Sequence, residues 1–337
     1  MKTLYLFGAG ASADAVPVVG GITFFWDKYF KKETAKFHKS VYKKIDSPLL
    51  EDIDKLIDET KDFGTPDVYA KSVALSKGIF SKEYRIVKTA LNYFIILCYL
   101  VNEIDKRYFS FFSALVDSEN KNSHILHKDV FIATWNYDFQ ITKSISILLN
   151  KNLTDINHLL YNKLFRINGY AGSLRGTVDN RESFRLTQPE NENDNYIFRS
   201  SFPASIVKDI NDSYARIMED KNLIYHNISF AWEPLNFNLE RQQIFPFLDQ
   251  IKVLVVIGYS FPTFNRFIDK ELISKMINLE KIYIQDPSDS IENRIIPFLD
   301  IRMPVYKISR DSEQKSYYDI EHIKHPDQFF IPPELDQ

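Results

Sequence analysis

Short runs of consecutive apolar residues recur along this chain, separated by long tracts in which apolar positions return every three or four residues. The short runs predict strands, and the long tracts predict amphipathic helices. The first run, residues 2–7 (KTLYLF), stops at Gly8-Ala9-Gly10. From residue 23 to residue 102 helical spacing dominates, as in YRIVKTALNYFIILCYL, so a block of helices is expected there. Strands are predicted again at 130–134 (in DVFIATWNYDF), 163–167 (in KLFRINGYAGSL), 252–257 (in IKVLVVIGYSF), 281–285 and 305–308. The run at 252–257 is the most apolar in the chain, which predicts a central place in a parallel sheet. Strands alternating with helices, with polar or glycine-rich clusters just beyond several strand ends, describe an open parallel α/β sheet with helices on both faces. A ligand of such a sheet lies across its carboxyl edge.

The 337 residues are read as a single domain with a helical insertion at about 23–125 and a second insertion at about 175–250. Within the second, RESFRLTQPENENDNY at 181–196 is polar around Pro189 and predicts a mobile loop. Charge narrows the function: 42 Lys and Arg against 45 Asp and Glu leave a formal net charge of -3, which argues against a nonspecific nucleic-acid binder. The single cysteine, Cys98, excludes an intrachain disulfide and a multi-cysteine zinc site, and it falls in an apolar run that predicts a buried helix. That run, 91–101, is too short for a bilayer span, and the amino-terminal residues lack a signal-peptide pattern, so a cytoplasmic protein without a membrane or metal partner is expected.

Gly8-Ala9-Gly10-Ala11-Ser12-Ala13 fits G-x-G-x-x-A directly after a strand, the Rossmann-type phosphate turn. The first glycine suits a tight turn, the second close approach of a phosphate, and Ala13 close packing of a following helix. A dehydrogenase would also need a second strand ending in an acid about 20 residues on. Asp27 has that spacing but sits in FFWDKYFKKETAKF, which is helical in pattern, so hydride transfer loses support.

Two later motifs join the turn: Thr134-Trp135-Asn136-Tyr137-Asp138 after the 130–134 strand and Gly258-Tyr259-Ser260-Phe261 after the 252–257 strand. Together the three resemble the sirtuin-like NAD-binding family, and more closely its bacterial branch, which includes NAD-cleaving antiphage defence proteins. The matches are Gly8 to Ser12, the segment Ala15-Val16-Pro17 with Gly20-Gly21, then Thr134, Asn136 and Asp138, then Gly258 and Ser260. The resemblance implies that NAD is substrate or ligand. Asp138 would hold the nicotinamide carboxamide and Asn136 would orient the ribose or the attacking water. Gly8, Ala9, Gly10, Ala11 and Ser12 would line the diphosphate, and Gly258, Tyr259 and Ser260 would close the other side. Taken alone, Asn136 and Asp138 would read as caps of a strand-to-helix turn, as these residue types favour; beside the two glycine motifs the binding reading is preferred.

The family's histidine, which precedes a glycine after the next strand, has no counterpart. Either Asn168-Gly169 or Ala171-Gly172-Ser173 occupies that place. Asn168 cannot accept a proton as a base near neutral pH. His124 and His127 precede the 130–134 strand, at its amino end, and His158 and His226 are expected in helices or their connections. The deacetylases' zinc ribbon cannot be built from Cys98 alone. The leading reading is therefore hydrolysis of NAD to nicotinamide and ADP-ribose; the alternatives are a non-catalytic module that binds NAD or ADP-ribose as a sensor or partner subunit, and a structural descendant without a ligand. Protein partners or further copies of the chain would meet the helical insertions. A basic stretch from Lys28 to Lys44 has helical spacing and is read as a solvated face, and Pro262 is placed to open the helix after the late glycine turn.

Overall fold

The computed structural model describes residues 1–27, 48–101, 104–116, 126–171, 173–176, 182–185, 214–215, 218, 224–226, 228–234, 239–300 and 319–335. Nine strands are described: β1 (Thr3–Phe7), β2 (Val130–Thr134), β3 (Leu164–Arg166), β4 (Ser173–Gly176), β5 (Glu182–Arg185), β6 (Ile224–His226), β7 (Val253–Ile257), β8 (Lys281–Gln285) and β9 (Asp319–Ile323). Six of them form one sheet in the order β3-β2-β1-β7-β8-β9, parallel at every pairing. Numbered within that sheet the order is 3-2-1-4-5-6, the Rossmann arrangement, and its direction of growth reverses between β1 and β7. The α/β architecture expected from the strand–helix alternation is thus the one observed. β4, β5 and β6 make a small antiparallel sheet in the order β5-β4-β6.

Every residue of β1, β2 and β7 is buried, which explains why these strands read as unbroken apolar runs rather than alternating ones. One face carries Leu4, Leu6, Phe131, Ala133, Leu254, Val256, Ile282 and Ile284. Against it pack α8 (Leu239–Gln243), α9 (Phe245–Leu248), α10 (Arg266–Lys275) and α11 (Glu292–Asp300), through such residues as Leu248, Ile268, Leu272 and Ile295. The opposite face carries Tyr5, Phe7, Ile132, Val253 and Val255. It is covered by α5 (Arg107–Leu115), α6 (Gln140–Leu149) and α7 (Leu153–Leu159) through Tyr108, Phe111, Phe112, Ile141, Ile145 and Ile156, with Phe329 of the carboxyl-terminal segment.

A separate core joins α1 (Ile22–Trp26), α2 (Pro48–Phe63), α3 (Pro66–Lys77) and α4 (Lys82–Val101). On α2 the buried positions Leu49, Leu50, Ile53, Leu56, Ile57 and Thr60 follow the helical period. α3 has well-marked ends. The Thr65 hydroxyl accepts from the Val68 N–H, Pro66 occupies the first turn, and Gly78 stops the helix at φ +93°. α4 contains the 91–98 run, buried throughout as expected, with the Cys98 thiol held well above its ordinary pKa by that burial. Among the described residues no helix is long and apolar enough to cross a membrane.

Four expectations are corrected. Glu182–Arg185, assigned to a loop, is β5, and His226, assigned to a helix or connection, is in β6. β9 was not expected: its sequence DIEHI alternates exposed and partly buried positions along a sheet edge, so it lacks the apolar run that marks the inner strands. The turn at Gly8 leads into a single 3-10 turn, Ala9–Ser12, rather than an α-helix, and Ala13 is exposed while Ala11 and Ala15 do the close packing. The Lys28–Lys44 stretch, the 305–308 strand, His124 and the rest of 181–196 lie outside the described residues.

Candidate functional site

Register brings the three motifs to one edge. Phe7 pairs with both Thr134 and Ile257, and Thr134 pairs with Arg166, so the residues following β1, β2, β3 and β7 emerge side by side. This is the carboxyl edge at the reversal point of the sheet, where α/β sheets bind ligands. A cavity of about 350 Å³ lies there, within the usual range for small-molecule sites. Its floor is Ala9, Ser12, Trp135 to Asp138, Asn168, Gly258 to Ser260, Pro262, Phe264 and Asn265. Its other wall belongs to the helical core: Ile22, Thr65 to Asp67 at the start of α3, and Leu91, Phe94 and Ile95 on α4.

The glycines have a packing role that needs no ligand. The Gly8 N–H donates to the Ile257 carbonyl at 3.0 Å and the Gly10 N–H to the Gly258 carbonyl at 2.9 Å, so the turns after β1 and β7 lie backbone to backbone. A Cβ on Gly8 would stand 2.5 Å from Tyr259 Cα, and one on Gly258 would stand 2.4 Å from the Ala11 nitrogen. Gly258 also has φ +59°, a conformation costly for other residues. Of the residues expected to line a diphosphate, Ala9 and Ser12 face the cavity. Gly8, Gly10 and Ala11 lie behind them with their N–H groups already donated within the protein.

Asn136 and Asp138 are joined to that turn. Asn136, buried, donates its Nδ2 to the Gly8 carbonyl at 2.9 Å and to Ser12 Oγ at 3.1 Å. Ser12 Oγ also lies 3.1 Å from the Tyr108 hydroxyl and hydrogen-bonds the Asp138 carboxyl. Asp138 Oδ1 accepts from the Gln140 N–H that opens α6. Burial pushes the Asp138 pKa up to about 6, against the lowering effect of those two hydrogen bonds. Arg107, not anticipated from sequence, donates to the carbonyls of Gly10 and Ala11 at 3.2 and 3.3 Å and is itself gripped by Asp105. No local pattern around Arg107 marks it, because the turn carbonyls it holds lie nearly a hundred residues away.

The structure separates the two alternatives for the missing histidine. Ala171 is buried outside the cavity, its N–H donated to the Tyr137 carbonyl. Asn168, 4% exposed, lines the cavity and donates Nδ2 to the Tyr137 hydroxyl at 3.3 Å. Tyr137 in turn donates to Asp67 Oδ1 at 3.0 Å. Tyr137 sits inside the second motif and Asp67 in the helical core, so neither was singled out from sequence. Among the described residues no histidine lines the cavity; His127 precedes β2 at its amino end and His158 is on α7.

On the late motif, Tyr259 stacks on Trp135 with ring centroids 5.5 Å apart and donates its hydroxyl to Asp269 at 2.9 Å, while Asn265 Nδ2 donates to that same hydroxyl. Ser260 is exposed at the rim, and its carbonyl accepts from Arg294. Pro262 opens a 3-10 turn, Thr263–Asn265, ahead of α10. Phe261 adopts φ +48°, a strained conformation for a bulky residue, held by its packing on Tyr259 and Phe298. Three polar atoms on cavity-lining residues are buried without a partner: Asn168 Oδ1, Asn265 Oδ1 and Trp135 Nε1. Among the described residues no group of side chains could hold a metal ion.

The fold and this site define a Rossmann-type α/β protein with a small-molecule cavity at the reversal point of its sheet. No family model and no curated protein matches the chain. Solved structures similar to it include Sir2Tm bound to a propionylated peptide, at 12% identity over 86% of this chain and 84% of that one with TM-score 0.36, and a sirtuin solved for the basis of its substrate affinity, at 14% identity over 90% and 93% with TM-score 0.39.

Proposed function

We propose that the cavity binds NAD and hydrolyses it to nicotinamide and ADP-ribose. The observation that carries this reading is the convergence of Ser12, Asn136, Asp138 and Asn168 on one cavity at the reversal point. The chemistry suits such a site. The nicotinamide leaves as a neutral molecule from a cationic ring, so departure needs no general acid; what accelerates it is fixed polar groups around the ribose carbon as positive charge develops there. Asp138 supplies the charge, and Asn136, locked by Gly8 and Ser12, supplies a rigid amide. The apolar residues Leu91, Phe94 and Ile95 keep the opposite wall dry, which strengthens both.

The second reading, a module that binds NAD or ADP-ribose without turnover, is favoured by one observation, the amide of Asn168 where the resemblance puts a histidine. The resemblance places the activity in antiphage defence in the cytoplasm, where depletion of NAD halts the infected cell. The helical insertions would then meet the triggering partner or further copies of the chain. Nicotinamide release from NAD, measured over a range of protein concentrations with binding in the same samples, decides between the two. Release abolished by Asp138→Ala supports the hydrolase; binding without release at every concentration supports the module.

A further inference from the structure

We propose that Asp67 is the proton acceptor of this cavity, filling the role left open by the amide at Asn168. The inference rests on the hydrolase reading and adds to it the group that activates water. Asp67 is delivered by the helical core, at the second residue of α3, whose capped and proline-started end fixes its direction. It lines the cavity, and Tyr137 engages only Oδ1. Through Tyr137 it is tied to Asn168, which lines the same cavity. A carboxylate that lines the cavity can take a proton from a water held against it.

The step balances. Water oxygen forms its bond to the ribose carbon as that carbon's bond to the nicotinamide nitrogen breaks, and the electron pair of the broken bond neutralises the ring. The proton released from water goes to the Asp67 carboxylate, which returns it to solvent.

Asp67 is tuned for this work. Burial pushes its pKa up to about 6, against the lowering effect of the Tyr137 hydrogen bond and its own backbone, and the negative charge of Glu233 adds to the rise. The other titratable groups facing it are Tyr137 after β2, Tyr84 on α4 and Tyr259 after β7, all held above the usual tyrosine range and so protonated near neutral pH. Glu233 is paired with Lys88. Asp67 is therefore ionised at pH 7 yet a stronger base than an exposed carboxylate.

The test uses the whole chain with NAD as the probe. Nicotinamide release, NAD affinity and melting temperature are followed from pH 4 to pH 8 for the native protein, Asp67→Asn and Asp67→Glu. The expected result is a fall in kcat of about 10²–10⁴-fold for Asp67→Asn with NAD affinity kept, partly restored in Asp67→Glu. Because Asp138 titrates near the same value, an acidic fall in native activity does not assign the base; loss of turnover without loss of affinity in Asp67→Asn does. Melting supplies a readout independent of turnover. The folded-state pKa of Asp67 is raised, so its protonated form stabilises the fold at low pH and that contribution is lost as pH rises through about 6. Asp67→Asn, which still accepts from Tyr137, should melt above the native protein at pH 7 and no higher at pH 4. Native turnover that survives in Asp67→Asn overturns the assignment while leaving the hydrolase reading intact. So does joint loss of affinity and stability in both variants, which would make Asp67 only a strut. A native protein that binds NAD and never releases nicotinamide removes the hydrolase reading, and the assignment with it.

Discussion

Replacing Gly258 by alanine tests whether the glycine motifs serve the fold or the ligand. Two costs act together at this position. Its φ of +59° charges an added Cβ about 1–2 kcal/mol. The Cβ would also stand 2.4 Å from the Ala11 nitrogen and 2.5 Å from the Gly10 carbonyl carbon, both backbone atoms, and such overpacking costs about 1–3 kcal/mol. The expected loss is about 2–5 kcal/mol. For 337 residues the unfolding entropy is roughly 0.7 kcal/mol/K, so the melting temperature should fall by roughly 3–7 °C. Three companions separate the contributions. Gly64 has φ +81° with nothing within 4 Å, so Gly64→Ala carries only the backbone cost. Gly8 has an extended backbone and a Cβ position 2.5 Å from Tyr259 Cα, so Gly8→Ala carries only the contact cost. Gly20 has neither, and Gly20→Ala should leave melting unchanged or slightly raise it. The assay is thermal unfolding without nucleotide, followed by circular dichroism. If Gly258→Ala melts like Gly20→Ala and is damaged only in nucleotide affinity, the turn-to-turn contact is not what these glycines are for.

Two further substitutions probe the links that hold the site. Asn136→Asp replaces a buried donor by a carboxylate facing the Gly8 carbonyl, at a cost of about 1–3 kcal/mol, and thermal unfolding of the variant should show a drop of roughly 1.5–4 °C; an unchanged melt would mean that Asn136 does not lock the turn. Lys88→Met strips Glu233 of its buried partner and should cost about 3–5 kcal/mol in denaturant unfolding, while adding Glu233→Met recovers only part, because Phe230 N–H and Tyr84 then lose their acceptor.

What the sequence made legible, and what it hid, follows from which interactions are local. β1, β2 and β7 could be read because burial on both faces leaves an unbroken apolar signature. β9 could not, because an edge strand of alternating charge has no such signature. The motif residues Ser12, Asn136, Asp138 and Gly258 were legible because each follows a strand end directly. The reason for the glycines was not, since it lies in a contact between two turns about 250 residues apart, with Gly10 bonded to Gly258. Asp67 and Arg107 were hidden for the same cause: each reaches the site from a helix whose own pattern records only its packing.

The site is assembled from two cores. The sheet supplies a floor whose geometry is fixed by strand register, and that floor holds Ser12, Asn136, Asp138 and Asn168. The helical core supplies the opposite wall, with Asp67 on α3 and the apolar residues of α4. Polar ties across the gap are few but specific: Tyr137 to Asp67, and Glu233 of segment 228–234 to Lys88 and Tyr84 on α4. Ser12, Asn136 and Asp138 are therefore held by the strand ends and turns, whereas the place of Asp67 depends on how the helical core is seated. On the proposed reading, a partner that gripped α2 or α3 and shifted that seating by an ångström would move the proposed proton acceptor relative to the floor. Such an arrangement would couple turnover to the helical surface, because NAD binding and water activation would be anchored to different cores.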